Sequence, residues 1–178
     1  MLILQFDRAY LSWGELFLNS FKKYHGETHD IFISGVDLHP KDITKLRGSY
    51  ENLTIENHDY CDNPYALPIE SKDRKSLSCR KSFVLQNVMS RFDAQEYLLM
   101  DVDHYFKGPI GSLLETFQGY SIGIVYEEKW KLDPRKIVSS SFLAVKKQEL
   151  EFVNHWCTQM RSNEFSEVGL APWDWLWD

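Results

Sequence analysis

Short apolar runs alternate with stretches of helical periodicity along this chain, and the alternation is typical of an α/β protein. The apolar runs have the length and composition of buried β-strands, and they lie at residues 2–6, 30–35, 53–56, 97–100, 120–126 and 142–145. The stretches between them carry apolar residues at helical spacing, at residues 13–25, 40–47, 72–92, 110–117 and 147–161. Strands that alternate with helices predict βαβ units, and therefore a mainly parallel central sheet with helices on both faces.

The start of the first helix is marked by a capping box. In the segment Ser12-Trp13-Gly14-Glu15, a serine precedes a glutamate by three residues, so each side chain can bond to the other's backbone N–H. We therefore expect the first turn of this helix at about residue 13. The residues between the first strand and that turn then form a loop at the carboxyl edge of the sheet.

The length of the chain, 178 residues, suffices for one domain with its own core. We expect a single domain over residues 1–178. The last stretch, Pro172 to Asp178, contains three tryptophans and is too apolar for a free tail, so it should pack onto the domain or a partner. No stop signal follows it, and an incomplete domain remains an open alternative.

Two aspartates follow the fourth apolar run. Residues 97–100 lead directly into Asp101-Val102-Asp103, the one Asp-x-Asp in the sequence. If Asp101 ends an extended strand, both carboxylates fall on the same side of the pleat. Paired carboxylates at the carboxyl end of a strand can hold a hard divalent cation through oxygen. A solvated acidic turn is the alternative interpretation of this pair.

Lys81 is unusual because it falls within the apolar stripe of the helix that precedes the aspartate pair. The stripe contains Leu77, Val84, Leu85, Val88, Met89 and Phe92. A lysine on this face is either a snorkelling side chain near the helix end or a cation that points into the cleft where the strand ends meet. Arg80 flanks it and is the second candidate for that role.

The composition and net charge of the chain limit the kinds of partner that it is expected to bind. Hydrophobic residues make up 43% of the chain, charged residues 26%, and the net charge is −6 with no basic block. Because phosphate backbones are bound by clustered Lys and Arg, a nucleic-acid partner is not expected. A single phosphate ligand is still compatible with this charge, since a metal or a helix N-terminus can neutralise it.

The cysteines, the N-terminus and the lengths of the apolar runs indicate the cellular compartment of the protein. Cys61, Cys79 and Cys157 are far apart and odd in number, which fits neither a disulfide framework nor a zinc site. No basic segment precedes a long apolar one at the N-terminus, and no apolar run has the length of a membrane span. We therefore expect a cytoplasmic protein without a transmembrane segment.

Several motifs, in order, resemble the GT-A class of nucleotide-sugar glycosyltransferases, especially the retaining glycogenin and galactosyltransferase-like family (glycosyltransferase family 8). Phe6-Asp7-Arg8-Ala9-Tyr10 is similar to the family's segment after its first strand. Tyr97 to Asp103 resembles its metal motif, an apolar run followed by Asp-x-Asp. Val138-Ser139-Ser140-Ser141 with the strand after it resembles an Asn-Ser-Gly segment, although serine stands in place of both Asn and Gly.

The resemblance implies a Rossmann-like GT-A fold and a metal-dependent hexosyltransferase that moves a sugar from a nucleotide-diphosphate sugar, a UDP-sugar, to an unknown acceptor. It implies that Asp101 and Asp103 bind Mn²⁺ or Mg²⁺ and that Lys81 acts with them in catalysis. The implied donor contacts come from Asp7, Tyr10, Arg80, Lys81, Asp101, Val102, Asp103, Ser139 and Ser140. For Tyr10 the alternative is an aromatic ring that only packs against the first helix. The family's late Asp-Gln motif has only Asp174 or Asp178 as a match, and its later histidine has no counterpart.

Two other functions remain open. A haloacid-dehalogenase-type phosphohydrolase also carries Asp-x-Asp after an apolar strand, but that motif normally opens its domain, and Tyr105 stands here where that family prefers a small residue. A binding or interaction module of the same fold that has lost catalysis is the second alternative. The two serine replacements and the missing histidine make this module a serious possibility.

Overall fold

A six-stranded sheet forms the centre of the part of the chain that the structure describes. The computed structural model describes residues 1–59, 80–126 and 138–162. Its strands are β1 (Leu2–Asp7), β2 (Ile31–Val36), β3 (Leu53–His58), β4 (Glu96–Met100), β5 (Ile122–Tyr126) and β6 (Val138–Lys146). They are ordered β3-β2-β1-β4-β6-β5.

Four neighbouring strands, β3, β2, β1 and β4, run parallel, and β6 is antiparallel to both β4 and β5. The expected mainly parallel sheet is therefore confirmed, with one reversed strand inserted between β4 and β5. Because β1 and β4 are adjacent, parallel and in the register Leu4↔Met100, their carboxyl ends lie side by side. Neighbouring strands are about 4.8 Å apart.

Helices cover both faces of the sheet, as the alternation of strands and helices predicts. They are α1 (Leu11–His25), α2 (Pro40–Ser49), α3 (Lys81–Arg91), α4 (Gly111–Phe117) and α5 (Leu150–Ser162), with short 3-10 turns at Arg8–Tyr10 and Lys147–Glu149. On one face, side chains such as Leu4, Phe6 and Phe17 form the larger core. On the other, Ile3 and Leu99 pack against α3 and α5.

The first helix begins earlier than the capping box predicts. Asp7 caps the 3-10 turn Arg8–Tyr10 by accepting the Ala9 N–H at 2.9 Å, and this turn continues directly into α1 at Leu11. Ser12 therefore lies inside the helix, and the carboxylate of Glu15 pairs with Lys45 at 2.6 Å. The predicted capping box is wrong because an upstream aspartate already starts the turn.

Gly14 lets α1 approach β1 closely. A Cβ at this buried position would lie 2.8 Å from Cζ of Phe6, whose ring is 1% exposed and has little room to move. Alanine improves helix propensity by about 1 kcal/mol, but overpacking a core costs about 1–3 kcal/mol. We expect Gly14→Ala to lower the free energy of unfolding by about 1 kcal/mol, measured by denaturant titration.

Gly48 provides the matched control for this prediction. It lies in α2, and an added Cβ there meets no atom within 4 Å. Gly48→Ala should therefore raise the free energy of unfolding by a few tenths to about 1 kcal/mol. If both variants shift the free energy of unfolding in the same direction, the close approach of α1 to β1 at Gly14 does not make an added Cβ destabilising.

Candidate active site

The aspartate pair lies in a turn at the carboxyl end of β4. The strand ends at Met100, and the chain turns between Asp101 and His104, whose N–H donates to the Asp101 carbonyl at 3.4 Å. The condition for both carboxylates to lie on the same side of the pleat, an extended strand that reaches Asp101, is therefore not met. Buried and exposed side chains nevertheless alternate along the turn. Val102 is buried, whereas the side chains of Asp101 and Asp103 are 33% and 57% exposed.

Lys81 reaches this turn from the start of α3. Its ammonium donates a hydrogen bond to Oδ1 of Asp101, and only 9% of its side chain is exposed. Of the two interpretations of this lysine, the cation that points to the strand end is therefore the one observed. Arg80 precedes it at the N-cap of α3 and is also buried.

The end of β1 brings Asp7 to the same edge of the sheet. Asp7 is buried, and one of its carboxylate oxygens caps the turn that leads into α1. Tyr10, at the end of that turn, is half-buried and packs against the larger core. The structure thus gives both residues a packing or capping contact, and the donor contacts expected of them stay predictions.

The serines of β6 lie next to the aspartate pair along the backbone. The Asp101 N–H donates to the carbonyl of Ser141 at 2.9 Å, and Ser139 and Ser140 directly precede Ser141 in the same strand. β6 therefore continues past the end of β4 towards the residues that follow Asp101. Asp174 and Asp178 lie outside the described residues.

The segment after the aspartate pair is fixed by an aromatic cluster that the sequence analysis did not single out. Phe106 is buried and packs edge-on against Phe17 and Phe21 of α1, at centroid distances of 5.1 and 5.2 Å. Its N–H donates to Oγ of the buried Ser20 at 3.2 Å. The buried faces of α1 and the aromatic residue three positions after Asp103 are the signals that could have indicated this contact.

His25 also contacts this segment, and its surroundings lower its pKa. Its ring lies 5.9 Å from that of Phe106, and its Nε2 accepts the Ile110 N–H at 3.4 Å. Partial burial, with a smaller contribution from the nearby His29, lowers the pKa of His25 below its ordinary value of 6.5. A protonated ring cannot accept the Ile110 N–H, so geometry and pKa both favour the neutral form.

This lowered pKa predicts a pH-dependent stability. As the pH falls through about 6.5, the unfolded chain takes up a proton at His25 before the folded chain does. The free energy of unfolding should therefore fall with pH in this range and level off once the folded His25 is protonated. Urea titrations between pH 7.5 and 5 should show a shallower fall for His25→Gln than for the native protein, and equal slopes would contradict the assignment.

The side chains at the strand end are chemically suitable ligands for a hard divalent cation. Asp101 and Asp103 offer carboxylate oxygens, the ligands that Mg²⁺ and Mn²⁺ prefer, and such ions are commonly held by one or two carboxylates together with substrate phosphates. Within the part of the chain that the structure describes, no group of three or more His, Cys, Asp or Glu side chains is placed to hold a metal ion. These two carboxylates would therefore need further ligands from elsewhere, such as a phosphate.

Comparison with known proteins shows the fold. No protein-family model and no curated protein matches the sequence. Among solved structures, the galactosyltransferase LgtC in complex with donor and acceptor sugar analogues is similar with a TM-score of 0.64 at 11% identity, over 90% of this chain and 65% of LgtC. The glycosyltransferase GlyE of Streptococcus pneumoniae gives 0.63 at 10% identity, over 97% of this chain and 40% of GlyE.

The bifunctional glycosyltransferase WbbM is similar over 90% of this chain and 33% of its own length, with a TM-score of 0.60. The chain therefore has the Rossmann-like α/β fold of these glycosyltransferases, as the resemblance implies, and it spans 65% or less of the three proteins' lengths. In the described ranges, no helix is both long and apolar enough to cross a bilayer.

Proposed function

We propose that this chain is the catalytic domain of a metal-dependent glycosyltransferase that moves a sugar from a UDP-sugar to an acceptor hydroxyl with retention of configuration. One observation carries the proposal: the Asp101-Val102-Asp103 turn, Lys81 and Asp7 lie at one edge of a sheet whose fold is that of glycosyltransferases. Ligands of open α/β sheets bind at this edge. The nucleotide, the metal and the stereochemistry come from the family resemblance and are part of the proposal.

In this function, Asp101 and Asp103 would hold Mn²⁺ or Mg²⁺ next to the donor diphosphate. When bound, the cation supplies Lewis-acid stabilisation of the negative charge that develops on the leaving diphosphate. Val102 contributes by anchoring the turn in the core, so that the two carboxylates keep their positions. Preorganised charged groups stabilise a transition state because they need little rearrangement when charge develops.

Lys81 supplies fixed positive charge beside the same phosphates. Its burial places the ammonium in a medium of lower effective dielectric than water, where its attraction to a phosphate oxygen is stronger. Asp7 and Tyr10, at the end of β1, are assigned to the base and ribose, with Arg80, Ser139 and Ser140 as further donor contacts. Sugar transfer then breaks the bond between the anomeric carbon and the diphosphate oxygen. The acceptor oxygen forms the new bond to the same face of that carbon, and the hydroxyl proton passes to the departing diphosphate.

UDP release from UDP-sugars tests this function. The protein is incubated with Mn²⁺ and a panel of UDP-sugars, with and without simple sugar acceptors, and free UDP is measured. We expect release from at least one donor and its loss when EDTA is added. UDP binding without release from any donor would instead indicate the non-catalytic binding module. Nothing in the described residues favours the phosphohydrolase alternative.

A further inference from the structure

The ion pair between Lys81 and Asp101 joins a positive charge to a carboxylate that the proposed function needs for a metal. Lys81 donates to Oδ1 of Asp101 from the first residue of α3. This helix is held in the core by residues such as Val84 and Val88, both fully buried. The lysine is therefore fixed against the strand end and is not a mobile surface cation.

Burial makes the lysine difficult to move away from the carboxylate. With 9% of its side chain exposed, the ammonium has little access to water, and a buried charge that loses its partner pays the full cost of desolvation. A divalent cation that binds Asp101 must either displace this ammonium or share the carboxylate with it. Both arrangements cost free energy, the second because like charges repel at short range.

Asp103 presents the opposite situation. Its side chain is 57% exposed, and it lies 3.9 Å from Nδ1 of His104. A carboxylate this open binds a hydrated cation weakly on its own, because solvent screens the attraction. The strand end therefore offers one open carboxylate, that of Asp103, and one that is paired with an ammonium, that of Asp101.

We propose that the ion pair with Lys81 competes with a divalent cation for Asp101, so that the cation binds tightly only together with a nucleoside diphosphate that takes over the ammonium. The inference rests on the proposed function and adds to it that binding of the cation depends on binding of the nucleotide. The incoming diphosphate would pair with Lys81, which would leave the carboxylate of Asp101 available to the cation. The cation alone would bind weakly, and cation and nucleotide would bind cooperatively.

This cooperativity has a measurable size. If the nucleotide raises the affinity for the cation, the cation must raise the affinity for the nucleotide by the same factor, and such factors are typically about 5- to 150-fold. Removing the ammonium should raise the affinity for the cation alone and lower the coupling factor, each by about tenfold. A lysine that only contributes binding energy to the phosphates would leave the affinity for the cation alone unchanged.

The experiment compares Mn²⁺ binding to the native protein and to Lys81→Met, with Mn²⁺ alone and with saturating UDP, using the electron paramagnetic resonance signal of free Mn²⁺. We expect Lys81→Met to bind Mn²⁺ alone about tenfold more tightly than the native protein. Lys81→Arg keeps a cation beside Asp101 and should retain the weak binding of Mn²⁺ alone. Lys41→Met is the matched control, because it removes the same charge from an exposed position in α2.

Equal affinities of the native protein and Lys81→Met for Mn²⁺ alone would overturn the inference and leave the proposed function standing if UDP still binds with Mn²⁺. If UDP binds neither protein at any Mn²⁺ concentration, both the inference and the proposed function fail. The native protein also tests the inference without any variant, in case Lys81→Met does not fold. A coupling factor between Mn²⁺ and UDP below about fivefold overturns it.

Discussion

Replacing Asp103 with asparagine should abolish the Mn²⁺-dependent binding of UDP and lower sugar transfer by about 10²–10³-fold, the loss that removal of one electrostatic partner of the transition state typically causes. Asparagine keeps the size of the side chain but removes the negative charge that the cation requires. Because Asp103 is 57% exposed, its replacement should change the free energy of unfolding by no more than about 0.5 kcal/mol. Loss of activity can therefore be separated from loss of folding.

Asp93→Asn is the control for that variant. Asp93 is exposed in the segment between α3 and β4, and its replacement removes the same charge without touching the strand end. UDP binding and transfer should stay within about twofold of native values. If Asp103→Asn behaves like Asp93→Asn in calorimetry and in the transfer assay, the aspartate pair has no role in donor binding.

Truncation of Phe106 to alanine should lower the free energy of unfolding by about 3–5 kcal/mol, the usual cost of removing a buried phenylalanine. Phe106 contacts Phe17, Phe21 and His25 through its ring, and Ser20 through its backbone N–H. It therefore joins the segment after the aspartate pair to α1. For a chain of this size the melting temperature should fall by roughly 6–20 °C, measured by calorimetry.

Phe152→Ala is the matched control for Phe106. Phe152 lies on α5 and is 43% exposed, so the same truncation should cost about 1 kcal/mol or less. Phe106→Leu keeps most of the apolar volume and should recover much of the lost stability. Similar melting temperatures for Phe106→Ala and Phe152→Ala would contradict the role given to the aromatic cluster.

Much of this fold could be predicted from the sequence because its strands are short apolar runs and its helices have clear periodicity. The position of Asp101 at a strand end and of Lys81 on the preceding helix followed from the same local patterns. The direction of β6 did not, because an apolar strand has the same local pattern whichever way it runs in the sheet. Its antiparallel position between β4 and β5 depends on pairing with distant residues.

The misplaced start of α1 and the turn at Asp101 have a related cause. Ser12 and Glu15 have the spacing of a capping box, yet Asp7, five residues before Ser12, caps the turn that leads into α1. When several capping residues lie in one stretch, the local pattern does not show which of them starts the helix. After Met100 the chain forms a turn closed by His104, and the apolar run alone does not show at which residue the strand ends. Phe106 was not predicted because its partners, Phe17 and Phe21, are far from it in the sequence, and local periodicity carries no information about such contacts.

The most direct test of the proposed function is the melting temperature of the native protein with UDP, measured with and without Mn²⁺. A ligand that binds only the folded state at 100 times its dissociation constant adds about 2.7 kcal/mol of stability, which corresponds to roughly 5–10 °C for a chain of this size. We expect a shift of this size with UDP and Mn²⁺ together, and little shift with either alone. The absence of any shift with every nucleoside diphosphate tested, in the presence of Mn²⁺, would contradict the assignment of a nucleotide-sugar site to this sheet edge.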